Sequence, residues 1–223
     1  MATDTWSRGS AVPLLVALVV MLATQAILVV GEQRILVSIL WLAVMIAGLW
    51  SAQGPRATLV AVVFVLIAAA PRAWFVTHPS VTTLLATKST SALFLAYAIQ
   101  HVFRTSVSGA RRSFDDRVAG ALTVYLLMGL LGAVLASVIE VGRPGSYSFS
   151  TALEQHAGPA APLTEFRFIY FSFVTLATVG YGDITPVTPV AQTLAWMEAV
   201  AGQMFIAIVI ATLVSLRTTG DRT

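Results

Sequence analysis

The chain has 223 residues, of which 57% are hydrophobic and only 10% charged, and its formal net charge is +3. Soluble domains carry about 25% charged residues, so this composition excludes an ordinary soluble globule and points to an integral membrane protein with little mass outside the bilayer. The absence of cysteine excludes disulfides and thiolate metal sites, and no basic tract interleaved with aromatics suggests a nucleic-acid partner.

Residues 1–10 form a short polar tail with Trp6 and Arg8. Ala11–Val30 is apolar and long enough to span, since about 20 residues cross the hydrocarbon. A cleaved leader ending near Ala23-Thr-Gln-Ala26 is the alternative, but the apolar run continues to Val30. A tight loop, Gly31–Arg34, returns the chain as a second and rather short span, Ile35–Trp50. Beyond the polar turn Ser51–Arg56 lies a third span, Ala57–Phe75, and then a fourth, Thr82–Phe103, rich in Thr and Ser around Lys88. The segment Arg104–Arg117 breaks the apolar pattern with Arg104, Arg111, Arg112 and Arg117. It reads as an amphipathic linker helix along a membrane face, where those arginines would meet anionic lipid.

Val118–Ile139 is the fifth span, and Glu140–Leu163 is a long polar loop. Thr164 can then cap a helix over Glu165–Ala177, which is too short to span. Ile184–Val190, with its prolines, leads into the last span, Ala191–Leu216. The expected fold is therefore an all-α membrane protein with six transmembrane helices and one re-entrant helix. Six spans put both termini on one side. The termini and even-numbered loops hold Arg8, Arg56, Arg104, Arg111, Arg112, Arg117, Arg217 and Arg222, against Arg34, Arg72, Arg143 and Arg167 opposite. The positive-inside rule then places N and C termini in the cytoplasm of a multi-pass protein of the cell membrane.

The short helix runs into Thr175-Leu-Ala-Thr178-Val179-Gly180-Tyr181-Gly182-Asp183. Irregular backbone at membrane depth survives only where it lines water or is buried in protein. Glycines at alternate positions allow positive φ at Gly180 and Gly182, so carbonyls that would otherwise alternate can all face one side. From Thr178 to Asp183 the stretch resembles, residue for residue, the selectivity-filter signature of the tetrameric potassium channels. The arrangement of spans looks like the prokaryotic six-transmembrane type, with a voltage-sensor-like domain poor in charge.

That resemblance implies a passive, potassium-selective pore rather than an enzyme, with K+ as the permeant ion and no other cofactor. The carbonyls of Thr178, Val179, Gly180 and Tyr181 would ligate K+, the Thr178 hydroxyl would add the innermost ring, and Gly182 would complete the filter strand. Val179 and Tyr181 side chains would pack behind it. Tyr170, Thr175 and Asp183 would support the filter, Tyr170 by donating a hydrogen bond to Asp183, while Val174 stands where some relatives carry a further carboxylate brace. Gly202 would be the gating hinge or, equally, a place where the last span packs closely on the short helix, with Ile206, Ile210 and Val214 lining the cavity below. A single filter sequence implies a homotetramer.

By the same resemblance, residues 1–103 form the four-helix voltage-sensor-like domain, 104–117 the linker and 118–223 the pore domain. Lys88 is the one basic residue within the fourth span, which argues against steep voltage gating; snorkelling to the outer interface is its simpler use. Glu198 is the sole carboxylate of the last span, either hydrogen-bonded to the short helix or functional in its own right. The alternatives are a non-selective cation channel of the same fold, a potassium transporter subunit and a haem-binding bundle. A transporter would need four pore loops per chain, and the bundle would need histidines paired across helices, whereas His78, His101 and His156 are isolated in the sequence.

Overall fold

Hydroxyl side chains mark where two of the helices begin. Ser80 and Thr83 cap the second long helix reciprocally, the Thr83 amide donating to Ser80 Oγ at 3.2 Å and the Ser80 amide to Thr83 Oγ1 at 3.0 Å. Ser113 accepts from the Asp116 amide at 3.2 Å and starts the third. A computed structural model of the chain describes residues 11–30, 80–107, 113–151 and 165–220, with scattered positions between 39 and 78. Its long elements are helices α1 (Val12–Val30), α2 (Val81–Val102), α3 (Phe114–Gly142), α4 (Glu165–Leu176) and α5 (Pro189–Gly220).

Helix α3 is the central post, with α1, α2, α4 and α5 all packed on it. Its burial is dense around small residues: Gly120, Gly129, Gly132, Ala133 and Ala136 are all enclosed. On α1, Leu14, Leu18 and Met21 share the buried face while Val16, Val19 and Val20 are exposed, the spacing of a helix with one packed stripe. On α2 the stripe is Lys88, Ser91, Leu95, Ala98 and Val102. Lys88 is only 5% exposed, so it does not snorkel outward as expected. It belongs to the face that packs into protein.

Two further boundaries differ from expectation. First, α3 starts at Phe114 rather than Val118, because Ser113 caps it and Asp115 and Asp116 complement the positive end of its dipole. Second, the separate linker helix over 104–117 does not form in the described residues. Phe103–Val107 continues α2 as a π-helical turn, and Arg117 reaches back to donate to the Val107 carbonyl at 3.2 Å. Arg111 and Arg112 lie outside the described residues. The fold is mostly helical, as expected, and one short strand pair accompanies the helices. Tyr147–Phe149 (β1) pairs antiparallel with Ile184–Pro186 (β2), with Tyr147 opposite Pro186 and Phe149 opposite Ile184. Buried Glu140 prepares that turn by accepting from the Gly145 and Tyr147 amides at 2.8 and 3.0 Å.

Among the described residues, Phe114–Gly142 and Pro189–Thr212 are long and apolar enough to cross a membrane. The expected spans Ile35–Trp50 and Ala57–Phe75 fall largely outside the described residues, as does the cap at Thr164.

Candidate functional site

The short helix α4 ends at Leu176, and the chain beyond it leaves regular structure. The last carbonyls of any helix lack intrahelical donors. Here the next residues supply them. The Thr178 and Val179 amides donate to the Thr175 and Val174 carbonyls at 2.9 Å each, and the Gly180 amide approaches the Val174 carbonyl at 3.4 Å. The described peptides are all trans, and a trans peptide points its C=O opposite to its N–H. With the amides of 178–180 turned back to α4, the carbonyls of Ala177, Thr178 and Val179 face the other way, onto a side where residues 177–182 are all exposed.

The backbone alternates in hand along this stretch. Thr178, Gly180 and Gly182 have φ of +57°, +59° and +79°. The two glycines were foreseeable, since positive φ carries no penalty without a Cβ. Thr178 was not: a β-branched residue in that region is strained, and the Thr175 carbonyl holds it there. The result is a short ribbon with a row of carbonyls on its open side.

Behind the ribbon, the Tyr170 hydroxyl donates to Asp183 Oδ2 at 2.7 Å. The Tyr170 and Tyr181 rings lie parallel, 6.4 Å apart and inclined by 4°. Asp183 also accepts from the Ile184 amide at 3.1 Å through Oδ1, and its carbonyl accepts from the Ser150 amide at 2.9 Å. The stretch is therefore fastened at both ends, to α4 at Thr178 and to the strand pair at Asp183. Thr175 contributes through its carbonyl. Val179 and Tyr181 remain half or more exposed in the single chain, at 51% and 70%, so their outer flanks are uncovered by this chain's own residues.

Helix α5 presents two distinct faces to this site. Glu198, Gly202 and Val209 are buried, with Phe205 partly so, and this face packs on α3 and α4. A Cβ at Gly202 would stand 2.5 Å from the Leu176 carbonyl oxygen and 2.9 Å from Leu176 Cδ1. Close approach to the end of α4 thus accounts for the glycine by itself, and α5 runs unbroken through it. The other face carries Ile206 and Ile210, 37% and 56% exposed. Val214 is on the same helix, its side chain outside the described residues.

Gln203 is the residue that sequence reasoning missed. It lies three and seven positions before Ile206 and Ile210, on their face, and its amide nitrogen comes within 3.5 Å of Thr178 Oγ1. The signal was available: a carboxamide inside an apolar span is expensive unless it meets water or a partner. At the back of α4, the Ser172 hydroxyl lies against both the Gly129 carbonyl and Glu198 Oε1. On β1, burial pushes the Tyr147 hydroxyl above its ordinary pKa.

Residues 124–218 match the family model described as an ion channel. The chain is similar over 94 residues to the two pore potassium channel c of Oryza sativa subsp. japonica, with 35% identity, covering 42% of this chain and 17% of that protein. Over 87 residues it is similar to the inward rectifier potassium channel Kirbac3.1 of Paramagnetospirillum magnetotacticum, with 32% identity, covering 39% of this chain and 23% of that one. The chain thus spans under a quarter of the length of these curated relatives. No solved structure matches.

Proposed function

We propose that this chain is one subunit of a potassium-selective channel in a membrane, passing K+ passively along the carbonyls of Thr178, Val179, Gly180 and Tyr181. The observation that carries this reading is the ribbon at 178–182, left-handed at alternate residues, with the amides of 178–180 tied back to α4 and the carbonyls of Ala177, Thr178 and Val179 turned to the free side. Rings of such carbonyls can replace the hydration shell of a bare cation. The similarity of residues 124–218 to an ion channel family, and of overlapping stretches to proteins named as potassium channels, supports it.

Four copies around one axis complete the ring, with six spans per chain and both termini in the cytoplasm. Two features support assembly. The inner candidate span, Pro189–Thr212, is only 17% buried within the chain, whereas Phe114–Gly142 is 56% buried. The flanks of Val179 and Tyr181 are likewise uncovered. Residues 1–103 then form a peripheral helical domain, coupled to the pore through the π-turn and Arg117. Arg104 and its neighbours Arg111, Arg112 and Arg117 are candidates for anionic lipid. Gly202 as a hinge is the weaker reading, since packing on Leu176 already explains it.

The test is reconstitution of the purified protein in liposomes, with potassium and sodium flux compared. Potassium flux well above sodium flux is expected. Equal flux would replace this reading with a non-selective cation channel, and no flux at all would remove both.

A further inference from the structure

The packing face of α5 carries one carboxylate into protein. Glu198 is 8% exposed, and its Oε1 lies against the Ser172 hydroxyl of α4, which itself lies against the Gly129 carbonyl of α3. A serine hydroxyl has a single proton to give. A backbone carbonyl has none, so the proton between Ser172 and Gly129 comes from Ser172. The proton between Ser172 and Glu198 must then come from Glu198. The other carboxyl oxygen, Oε2, is buried and has no hydrogen-bond partner among the described residues. An anion needs donors at both oxygens, whereas the carbonyl oxygen of a neutral acid tolerates burial far better.

We propose that Glu198 is a carboxylic acid, and that the relay Glu198 to Ser172 to Gly129 is the bolt that fixes α4 between α3 and α5. The surroundings agree. From α3, Gly129 and Gly132 present only backbone, and a side chain at Gly132 would collide with the Glu198 carboxyl; Glu140 stands farther along the same helix and is committed to the Gly145 and Tyr147 amides. From β1 comes the Tyr147 hydroxyl, buried and without a hydrogen-bond partner among the described residues. The glycine neighbours of Glu198 on α3 are what make room for it.

In this arrangement Glu198 acts through Ser172 and is a positioning residue. Through Ser172 it holds the helix whose last carbonyls anchor Thr178 and Val179. That consequence rests on the channel reading; the protonation state does not. Infrared spectroscopy of the full-length protein in liposomes at neutral pH should show a protonated-carboxyl band that disappears in Glu198→Gln and shifts in Ser172→Ala. Glu198→Ala should lower potassium flux about fivefold to tenfold, the loss of one buried hydrogen bond. Glu198→Gln keeps a donor and should recover most of it. A missing band, a band that survives Glu198→Gln, or a Glu198→Gln flux no better than that of Glu198→Ala overturns the proposal. If the wild-type protein carries no potassium, the channel reading fails, while the band still decides the acid.

Discussion

Hydroxyl groups in the two halves of this molecule do different jobs. In α2, Thr87, Thr90 and Ser91 each donate at 2.8 Å to carbonyls of their own helix, four residues back. Such bonds quiet a polar group in an apolar setting and fix nothing beyond the helix. In the second half, Tyr170 reaches Asp183 thirteen residues on, and Ser172 reaches both Gly129 and Glu198. These bonds join separate elements and hold a carbonyl ribbon in place. Among the described residues, the hydroxyls that join separate elements cluster around the ribbon, whereas those of α2, like Thr123 and Thr212 in the second half, donate to their own helix. Sensitivity to substitution should follow that division.

The sharpest test is at Gly180. No atom lies within 4 Å of where its Cβ would be, so alanine there meets no clash, only the roughly 1–2 kcal/mol of the left-handed conformation. In the proposed ring of four copies that cost recurs four times. Gly180→Ala should reduce potassium flux to background in the liposome assay, and a conducting Gly180→Ala would show that the ribbon's handedness is not what aims the carbonyls.

Next in size is Gly202→Ala. Its methyl would press on the Leu176 carbonyl at 2.5 Å, and overpacking of this kind costs about 1–3 kcal/mol. Thermal unfolding in detergent should shift downward, whereas Gly142→Ala, with no atom within 4 Å, should leave the midpoint within about 0.5 kcal/mol of wild type. An unchanged midpoint with altered gating in Gly202→Ala would restore the hinge role.

Tyr170→Phe comes third. It keeps the ring against Tyr181 and removes the 2.7 Å bond to Asp183, worth about 1.5–3 kcal/mol when one partner is charged. Single-channel recordings should show shorter openings. Asp183→Asn altering openings while Tyr170→Phe leaves them unchanged would mean that the Ile184 amide, not Tyr170, holds the carboxylate.

The first half should show the smallest effects. Thr90→Ala loses only a bond to its own helix and should change stability by about 0.5 kcal/mol or less. Voltage should matter little, because a charge crossing the field gains about 2.3 kcal/mol per 100 mV and steep gating needs several charges per subunit. Within α2, Lys88 is the one such charge, and it is packed into protein. A conductance–voltage curve between about −100 and +100 mV that needs more than about two charges per subunit would overturn the division between the halves.

What the sequence determined by itself was local. The length and apolarity of α5, the shortness of α4 and the left-handed glycines at 180 and 182 all follow from constraints acting over a few residues. Burial by distant elements cannot easily override a missing Cβ or a helix too short to cross. The Tyr170–Asp183 pair was also legible, through the family resemblance rather than through spacing. Tertiary structure decided the rest. For Gly202 the sequence leaves hinge and close packing equal, and the contact with Leu176 of α4 supplies the packing, while Lys88 reads as an interfacial residue until its helix face is packed. Glu198 finds Ser172 because glycines on a third helix leave the space. Each of these outcomes depends on which surfaces meet, and no window of adjacent residues contains that information.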